Sequence, residues 1–369
     1  MRIVCLGGAG EMGSRAVKDL AAQADVEKLT IADINLFKAK SLAEEINAEV
    51  GNKVEVVHID VNVPETLERA LEGHDIATST VGPFYKFGQK IAKGVIGKGL
   101  HLVDICDDYD AVQQILTLDE EAQANQQTIL TGMGWTPGLS NMLALKAVRE
   151  LDRAEHIHIY WAGSPLGPTG LAVILHTLHI FVGEIPSYQN GEWVNVKAGS
   201  GRQVVNFADL GDVTQFHVGH PEPVTIPRYI ESLKTVTLKG GLTDHFLNEL
   251  AVLVGNSGFT GSEDTKDILG GLLKVVLPFG EMLLPSKETR SAIRVDVIGF
   301  KDGVEKTISY QARAPMADLT GLPLAVGALM LGRGEITRRG AFAPEAAVDP
   351  DKFLAELQKR GIEILRESN

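Results

Sequence analysis

The chain has 369 residues, enough for two domains of ordinary size. Its 44% hydrophobic and 22% charged content is that of a globular fold, and its net charge of −13 disfavours nucleic acid, whose binding draws on basic surfaces that release counterions. No apolar run reaches the ~20 residues that a bilayer crossing takes. The longest candidate, Leu171 to Val182, is broken by His176, Thr177 and His179, so neither nucleic acid nor a membrane is expected as a partner.

Met1 to Gly13 organises the first part of the chain. The apolar run Ile3 to Leu6 enters Gly8-Ala9-Gly10-Glu11-Met12-Gly13, and Ser14 to Ala22 then carries helix formers, with Val17 and Leu20 three apart. Strand, glycine turn and helix in that order make a dinucleotide-binding unit. Gly8 serves the turn, Gly10 lets backbone approach a pyrophosphate, and Gly13 lets helix and strand pack closely. Glu11 and Met12 open the helix, whose unpaired N–H groups face the anion. The next strand, Lys28 to Asp33, ends in an acid 20 residues after Gly13. An acid there accepts the hydroxyls of the adenosine ribose and repels a 2′-phosphate, so the expected cofactor is NAD. Lys38 and Lys40 close behind keep NADP open. A strand and glycine loop stand where a secretory leader has its apolar core, and Cys5 and Cys106 are the two cysteines. A cytoplasmic protein without a disulfide framework is expected.

A helical pattern follows over Phe37 to Val50, then a third strand, Val54 to Asp60. Asp60 and Val61 at its end are expected beside the adenine. Pro64 to Leu71 reads as a helix, and Asp75 to Val81 as the fourth strand, broken by Gly82-Pro83-Phe84-Tyr85. Ligands of a doubly wound sheet gather at the carboxyl ends of strands, so Thr80, Gly82 and Pro83 are expected at the cofactor and Tyr85 at the nicotinamide or the substrate. A helix from Gln89 to Gly99 leads to the fifth strand, His101 to Cys106, whose far end carries Asp104, Asp107 and Asp108. Ala111 to Ala124 reads as one helix, Thr128 to Gly132 as the sixth strand, and Met133 to Asn141 as a loop into a helix over Met142 to Leu151.

The pattern then changes. Glu155 to Trp161 alternates with period two, and Asn190-Gly191 and Asp302-Gly303 are hairpin turns, the second between long alternating arms, Ala292 to Phe300 and Val304 to Ala312. Helices are expected over Phe246 to Val254 and Lys266 to Val276. Leu319 to Leu331 is a helix rich in small apolar residues, and Asp351 to Lys359 a terminal one. The expected fold is α/β: a doubly wound parallel (Rossmann) sheet over residues 1–140, completed by a C-terminal return over 313–369. A second α+β domain of mixed or antiparallel sheet occupies 141–312 and supplies substrate contacts and a subunit interface.

Gly8 to Gly13, Ile31-Ala-Asp33, Val103-Asp104, Gly134-Trp-Thr-Pro-Gly-Leu-Ser-Asn141 and Gly332 to Gly340 with Pro344-Glu345 resemble the saccharopine dehydrogenase (reductase) family. That family includes lysine 6-dehydrogenases and the carboxynorspermidine and homospermidine synthases. Length and the position of Asp33 look most like the lysine 6-dehydrogenase branch, whereas Gly219 to Arg228 departs from that branch's substrate segment. The resemblance implies a homodimer that moves hydride between a nicotinamide and a CH–NH carbon of an amino acid, lysine or a saccharopine-like imino acid.

Such an amine gives up hydride only when neutral, yet a free alkylamine has a pKa near ~10, so a base or a desolvating pocket is required. Asp104 and Asp107 are candidates to hold the amine or accept its proton; capping of the next helix is their structural alternative. His220, with Glu222 nearby, is a candidate acid or base, and Arg228 a candidate carboxylate anchor, in a segment stiffened by Pro221, Pro223 and Pro227. An interdomain or dimer contact is the other use of that segment. His176 and His179 lie three apart on a helix with no third ligand adjoining, so no metal centre is expected. Two alternatives keep the same fold: an alcohol or semialdehyde dehydrogenase using Cys106 or a histidine, and an NAD-binding regulator without turnover.

Overall fold

A computed structural model describes residues 1–165, 170–257, 262–281 and 289–368. Two compact units emerge: Met1–Leu139 with Ala317–Asp349, and Ser140–Met316 with Pro350–Asn369.

The first unit is the expected doubly wound sheet. Its strands are β1 (Arg2–Leu6), β2 (Lys28–Asp33), β3 (Val54–His58), β4 (Ile76–Ser79), β5 (His101–Asp104) and β6 (Thr128–Leu130). A seventh, Gly340–Phe342, pairs with β6, and all neighbours run parallel in the order Gly340–Phe342, β6, β5, β4, β1, β2, β3. β1 is an interior strand between β4 and β2, and Ile3, Val4 and Leu6 are buried as a two-sided parallel strand demands. The order reverses beside β1, so the ends of β1 and β4 form the switch point where ligands bind. The seventh strand has three residues, too few for a period to show in the sequence.

The departures from expectation have identifiable hydrogen-bonding and packing causes. Ala111 to Ala124 is two helices, Tyr109–Leu116 and Asp119–Ala124. The first closes where the Thr117 hydroxyl and amide both turn back to the Gln114 carbonyl. The helix expected from Gln89 begins at Phe84, directly after Pro83, and the Tyr85 amide in its first turn donates to Asp108 Oδ2 at 2.9 Å. That carboxylate satisfies one of the donors a helix start leaves open. The helix expected over Leu319 to Leu331 runs Met316–Gly332 and is buried along Leu319–Leu331. Two glycines set its fit: a Cβ on Gly321 would lie 2.7 Å from the Met12 carbonyl, and one on Gly327 2.7 Å from Met133 Cγ. Arg15 and Asp318 form an ion pair at the same contact. The helix Met316–Gly332 therefore braces the helix that follows the glycine turn.

The second unit is a nine-stranded mixed sheet. Its strands are β7 (Arg153–Gly163), β8 (Glu184–Gln189), β9 (Glu192–Lys197), β10 (Gln203–Phe207), β11 (Gly211–His217), β12 (Thr235–Leu242), β13 (Arg290–Lys301) and β14 (Val304–Pro315), with Glu363–Ser368 pairing with β14. β12 and β7 are parallel, and β7–β13–β14 is antiparallel. Both hairpin turns lie where Asn-Gly and Asp-Gly stand. Asn190 and Gly191 have φ of 54° and 82°, Asp302 and Gly303 52° and 75°, the left-handed pair that a two-residue hairpin turn needs. The remaining helices include Leu139–Val148, Leu171–Ile180, His245–Asn256, Glu263–Glu281 and Pro350–Lys359. The segment around His220 is a short helix, Glu222–Thr225, running into a tight turn, Ile226–Arg228.

Candidate functional site

In the first unit the glycine turn is built by close approach. Gly7 takes φ of 75° and donates to the Ala32 carbonyl. A Cβ on Gly8 would sit 2.9 Å from the Cys5 carbonyl, and one on Gly13 2.4 Å from the Gly7 carbonyl and 2.7 Å from Thr80 Oγ1. No side chain at those positions fits without moving backbone. Gly10 precedes the helix Glu11–Ala21, which no side chain caps, so the start of that helix, at Glu11 and Met12, has the character of an anion-binding helix terminus. Thr80, just past β4, donates its hydroxyl to the Gly7 carbonyl at 2.9 Å and ties the turn to the switch point.

Asp33, at the end of β2, is 8% exposed. Its Oδ2 accepts from the Ala9 amide at 3.0 Å and its Oδ1 from the Asn35 amide at 2.8 Å. The carboxylate is thus fixed at the rim of the glycine turn, with a lone pair on each oxygen left for a hydroxyl donor. Asp60 follows β3, its Oδ1 accepting from the Asn62 amide, and Val61 is buried behind it. Gly82 and Pro83 lead into the helix that starts at Phe84. These residues fit a dinucleotide: uncapped amides and missing Cβ atoms for the pyrophosphate, and a fixed acid for the ribose.

The acids after β5 divide by environment. Asp104 is 2% exposed, and its Oδ1 accepts from the Cys106 amide, the Thr131 hydroxyl and the Gly132 amide, each at 2.9 Å. Burial raises its carboxyl to about 6 in spite of those donors. It is a tie between the ends of β5 and β6. Asp108 is fully buried and holds the Tyr85 amide, while Asp107, between them in the sequence, is partly exposed. Tyr85 itself is partly buried. Cys106 is fully buried, and burial together with Asp104, Asp108 and Asp107 pushes its thiol well above the usual range. A thiol kept protonated is a poor nucleophile, which removes the basis of a Cys106 mechanism.

In the second unit, His220 and Glu222 are buried at 2% and 0% exposure, with Nδ1 3.8 Å from Oε2. The Ser140 hydroxyl donates to Glu222 Oε1 at 2.7 Å. A carboxylate taken out of water requires such partners. The His220 ring is flanked by Trp161, centroids 6.1 Å apart, and meets His176 edge-on at 5.3 Å. Trp161 lies against Gly240, where a Cβ would come within 2.1 Å of the indole. The Trp193 indole nitrogen holds the Pro223 carbonyl at 3.1 Å and the Gly219 amide the Ile180 carbonyl at 3.0 Å, which fix the segment from both sides.

Arg228 does not join this cluster: it is exposed and gives its Nε to the Val224 carbonyl. His179 accepts from Lys266 Nζ at 2.8 Å, so the two histidines of that helix serve different neighbours. Ser140 and Trp161 were not singled out by sequence. Ser140 lies inside the Thr-Pro-Gly-Leu-Ser-Asn stretch that carries the family resemblance, whereas nothing in a period-two strand distinguishes Trp161 from a packing residue.

Comparison with known proteins gives the chain's family and fold. The family profile described as saccharopine dehydrogenase NADP binding domain matches residues 3–130, and that described as saccharopine dehydrogenase C-terminal domain matches residues 134–362. A carboxyaminopropylagmatine dehydrogenase of Synechocystis sp. is 23% identical, the alignment covering 98% of this chain and 96% of that protein. An NADP(+), L-glutamate-forming saccharopine dehydrogenase of Pyricularia oryzae is 22% identical over 91% of this chain and 92% of that protein. The fold is similar to that of the apo saccharopine dehydrogenase (L-Glu forming) of Saccharomyces cerevisiae, with a TM-score of 0.70, 16% identity and 100% of both chains covered.

Proposed function

The chain belongs to the saccharopine dehydrogenase family, and on that premise we propose that it is an NAD-dependent oxidoreductase of amino-acid CH–NH bonds. Lysine or a saccharopine-like imino acid is the proposed substrate class. The relatives' names add saccharopine itself and carboxyaminopropylagmatine as compounds to test. The observation that carries the NAD reading is the fixed carboxylate of Asp33, held by the Ala9 and Asn35 amides beside the glycine turn. A charge that cannot turn away disfavours a 2′-phosphate and favours a free ribose hydroxyl.

The bound nicotinamide supplies the acceptor or donor of hydride. What this chain's residues contribute is binding, positioning and proton handling. Gly8, Gly10, Gly13 and the Glu11 and Met12 amides receive the pyrophosphate. Asp60 and Val61 border the adenine, and Thr80, Gly82 and Pro83 shape the nicotinamide end. His220 is assigned to take the amine proton, with Glu222 orienting the imidazole and stabilising its charged form, and Ser140 holding Glu222. Asp107 is assigned to the substrate ammonium and Tyr85 to substrate contact. Asp104 acts through the strand ends it ties, as a positioning residue. Arg228 remains the proposed carboxylate anchor, a role that requires its side chain to leave the Val224 carbonyl.

The test is the ratio of coenzymes. Asp33→Ala should weaken NAD about tenfold or more, the scale of a lost hydrogen bond to a charged group, and leave NADP little changed. An unchanged NAD/NADP ratio in that variant removes Asp33 from the ribose and the NAD reading with it.

A further inference from the structure

The sheet of the second unit has two faces, and the His220 cluster belongs to one of them. Trp161, Gly240 and Ile293 share that face by register, whereas Tyr160, Lys239 and Arg294, one residue earlier or later, point the other way. At one end of this opposite face Val205, Phe207 and Val213 of the β10–β11 hairpin cover Tyr160, Ala162 and Ala292 in an apolar cluster. Alongside it lies a cavity of about 530 Å³, within the size range of small-molecule sites. His158, Tyr160, Thr237 and Lys239 line it from the strands, and Gln203 and His217 from the hairpin.

Its charge is not balanced. Lys239 is partly buried and gives its ammonium to the neutral Oε1 of Gln203 at 2.7 Å. Among the described residues no carboxylate pairs with it. Asp296 also lines the cavity, but both its oxygens face Arg294 Nε, at 2.9 and 3.2 Å. The Gln203 amide in turn reaches the Tyr160 hydroxyl, and His158 Nδ1 lies 2.8 Å from the Thr237 hydroxyl, so the walls are fixed hydrogen-bonding groups.

We infer that this cavity binds a small carboxylate, with Lys239 as its counter-charge and His217 and the Tyr160 hydroxyl as flanking hydrogen-bonding groups. Burial lowers Lys239 from its usual range, and burial with the Lys239 charge lowers His217 to about 4; a carboxylate between them relieves both. Asp296 sets the upper limit on negative charge, which selects a singly charged carboxylate group over a phosphate. The site lies on the sheet face opposite His220, so it stands or falls apart from the reaction proposed above.

The test is a titration of the full chain, carrying ¹³C-labelled histidine, with L-glutamate and, separately, inorganic phosphate at matched ionic strength. The signals of His158 and His217 are assigned through His158→Gln and His217→Gln. L-Glutamate should shift the His217 signal saturably and phosphate should not. The affinity should fall about tenfold or more in Lys239→Met, which removes the counter-charge. It should fall likewise in Gln203→Glu, an exposed isosteric change that gives Lys239 a resident carboxylate and leaves turnover unchanged. No saturable shift with L-glutamate, phosphate binding as well or better, or undiminished affinity in Gln203→Glu overturns the site.

Discussion

Asp104 shows how far a residue's type underdetermines its work. Read from sequence it is a strand-end acid at a ligand-binding edge; in the fold its Oδ1 gathers the Cys106, Thr131 and Gly132 donors. Its carboxyl sits at about 6 rather than 3.8, because burial penalises the charge. The native state therefore binds more protons than the unfolded state between those values. The group's contribution to stability is present at low pH and is lost as pH rises from about 4 to about 6, by roughly 3 kcal/mol at most. Asp104→Asn keeps an acceptor oxygen and removes the titration. Denaturant midpoints across that range should fall less in the variant than in the parent; identical profiles contradict the buried charge. For His220 the expectation is kinetic: His220→Gln and Glu222→Gln should each lower kcat by about 10²–10⁴, the range of general acid–base catalysis, with coenzyme affinity unchanged. Cys106→Ala should retain turnover, and its loss would restore a thiol mechanism.

Among the elements, those with strong local signals were legible. The glycine turn, the strand–helix alternation and both hairpin turns are written in residue types that a backbone position requires: Gly13 where a Cβ would come within 2.4 Å of the Gly7 carbonyl, Asn190-Gly191 where φ is positive twice. Gly13→Ala should accordingly weaken dinucleotide binding about tenfold or more, since overpacking of this kind costs about 1–3 kcal/mol. A fluorescence titration with reduced coenzyme measures this, and wild-type affinity would mean that the turn tolerates what its geometry forbids. Less legible were features that depend on partners distant in sequence. The strand Gly340–Phe342 exists because β6 offers an edge, and the helix starting at Phe84 because Asp108 reaches the Tyr85 amide. The Ser140–Glu222 hydrogen bond spans 82 positions, so spacing alone gave no sign of it. Ser140 was nevertheless within the stretch that carried the family resemblance.

At the scale of the whole molecule, one unit is a parallel sheet whose switch point holds the glycine turn, and the other a mixed sheet carrying the His220–Glu222 pair. The family assignment spans both. It places the chain in the saccharopine dehydrogenase family; the CH–NH chemistry proposed for the chain follows from that family, and the fixed Asp33 carboxylate supports the proposed NAD form of the cofactor. The homodimer implied by the resemblance is a separate expectation, measurable by sedimentation. The central claim is tested most directly by following reduced nicotinamide absorbance while NAD or NADP is offered with lysine, saccharopine and other secondary amino-acid amines, beside a matched set of hydroxy acids. Turnover of a CH–NH compound with NAD preferred is the predicted result. Turnover confined to hydroxy acids, or none with any amine under either coenzyme, contradicts the account.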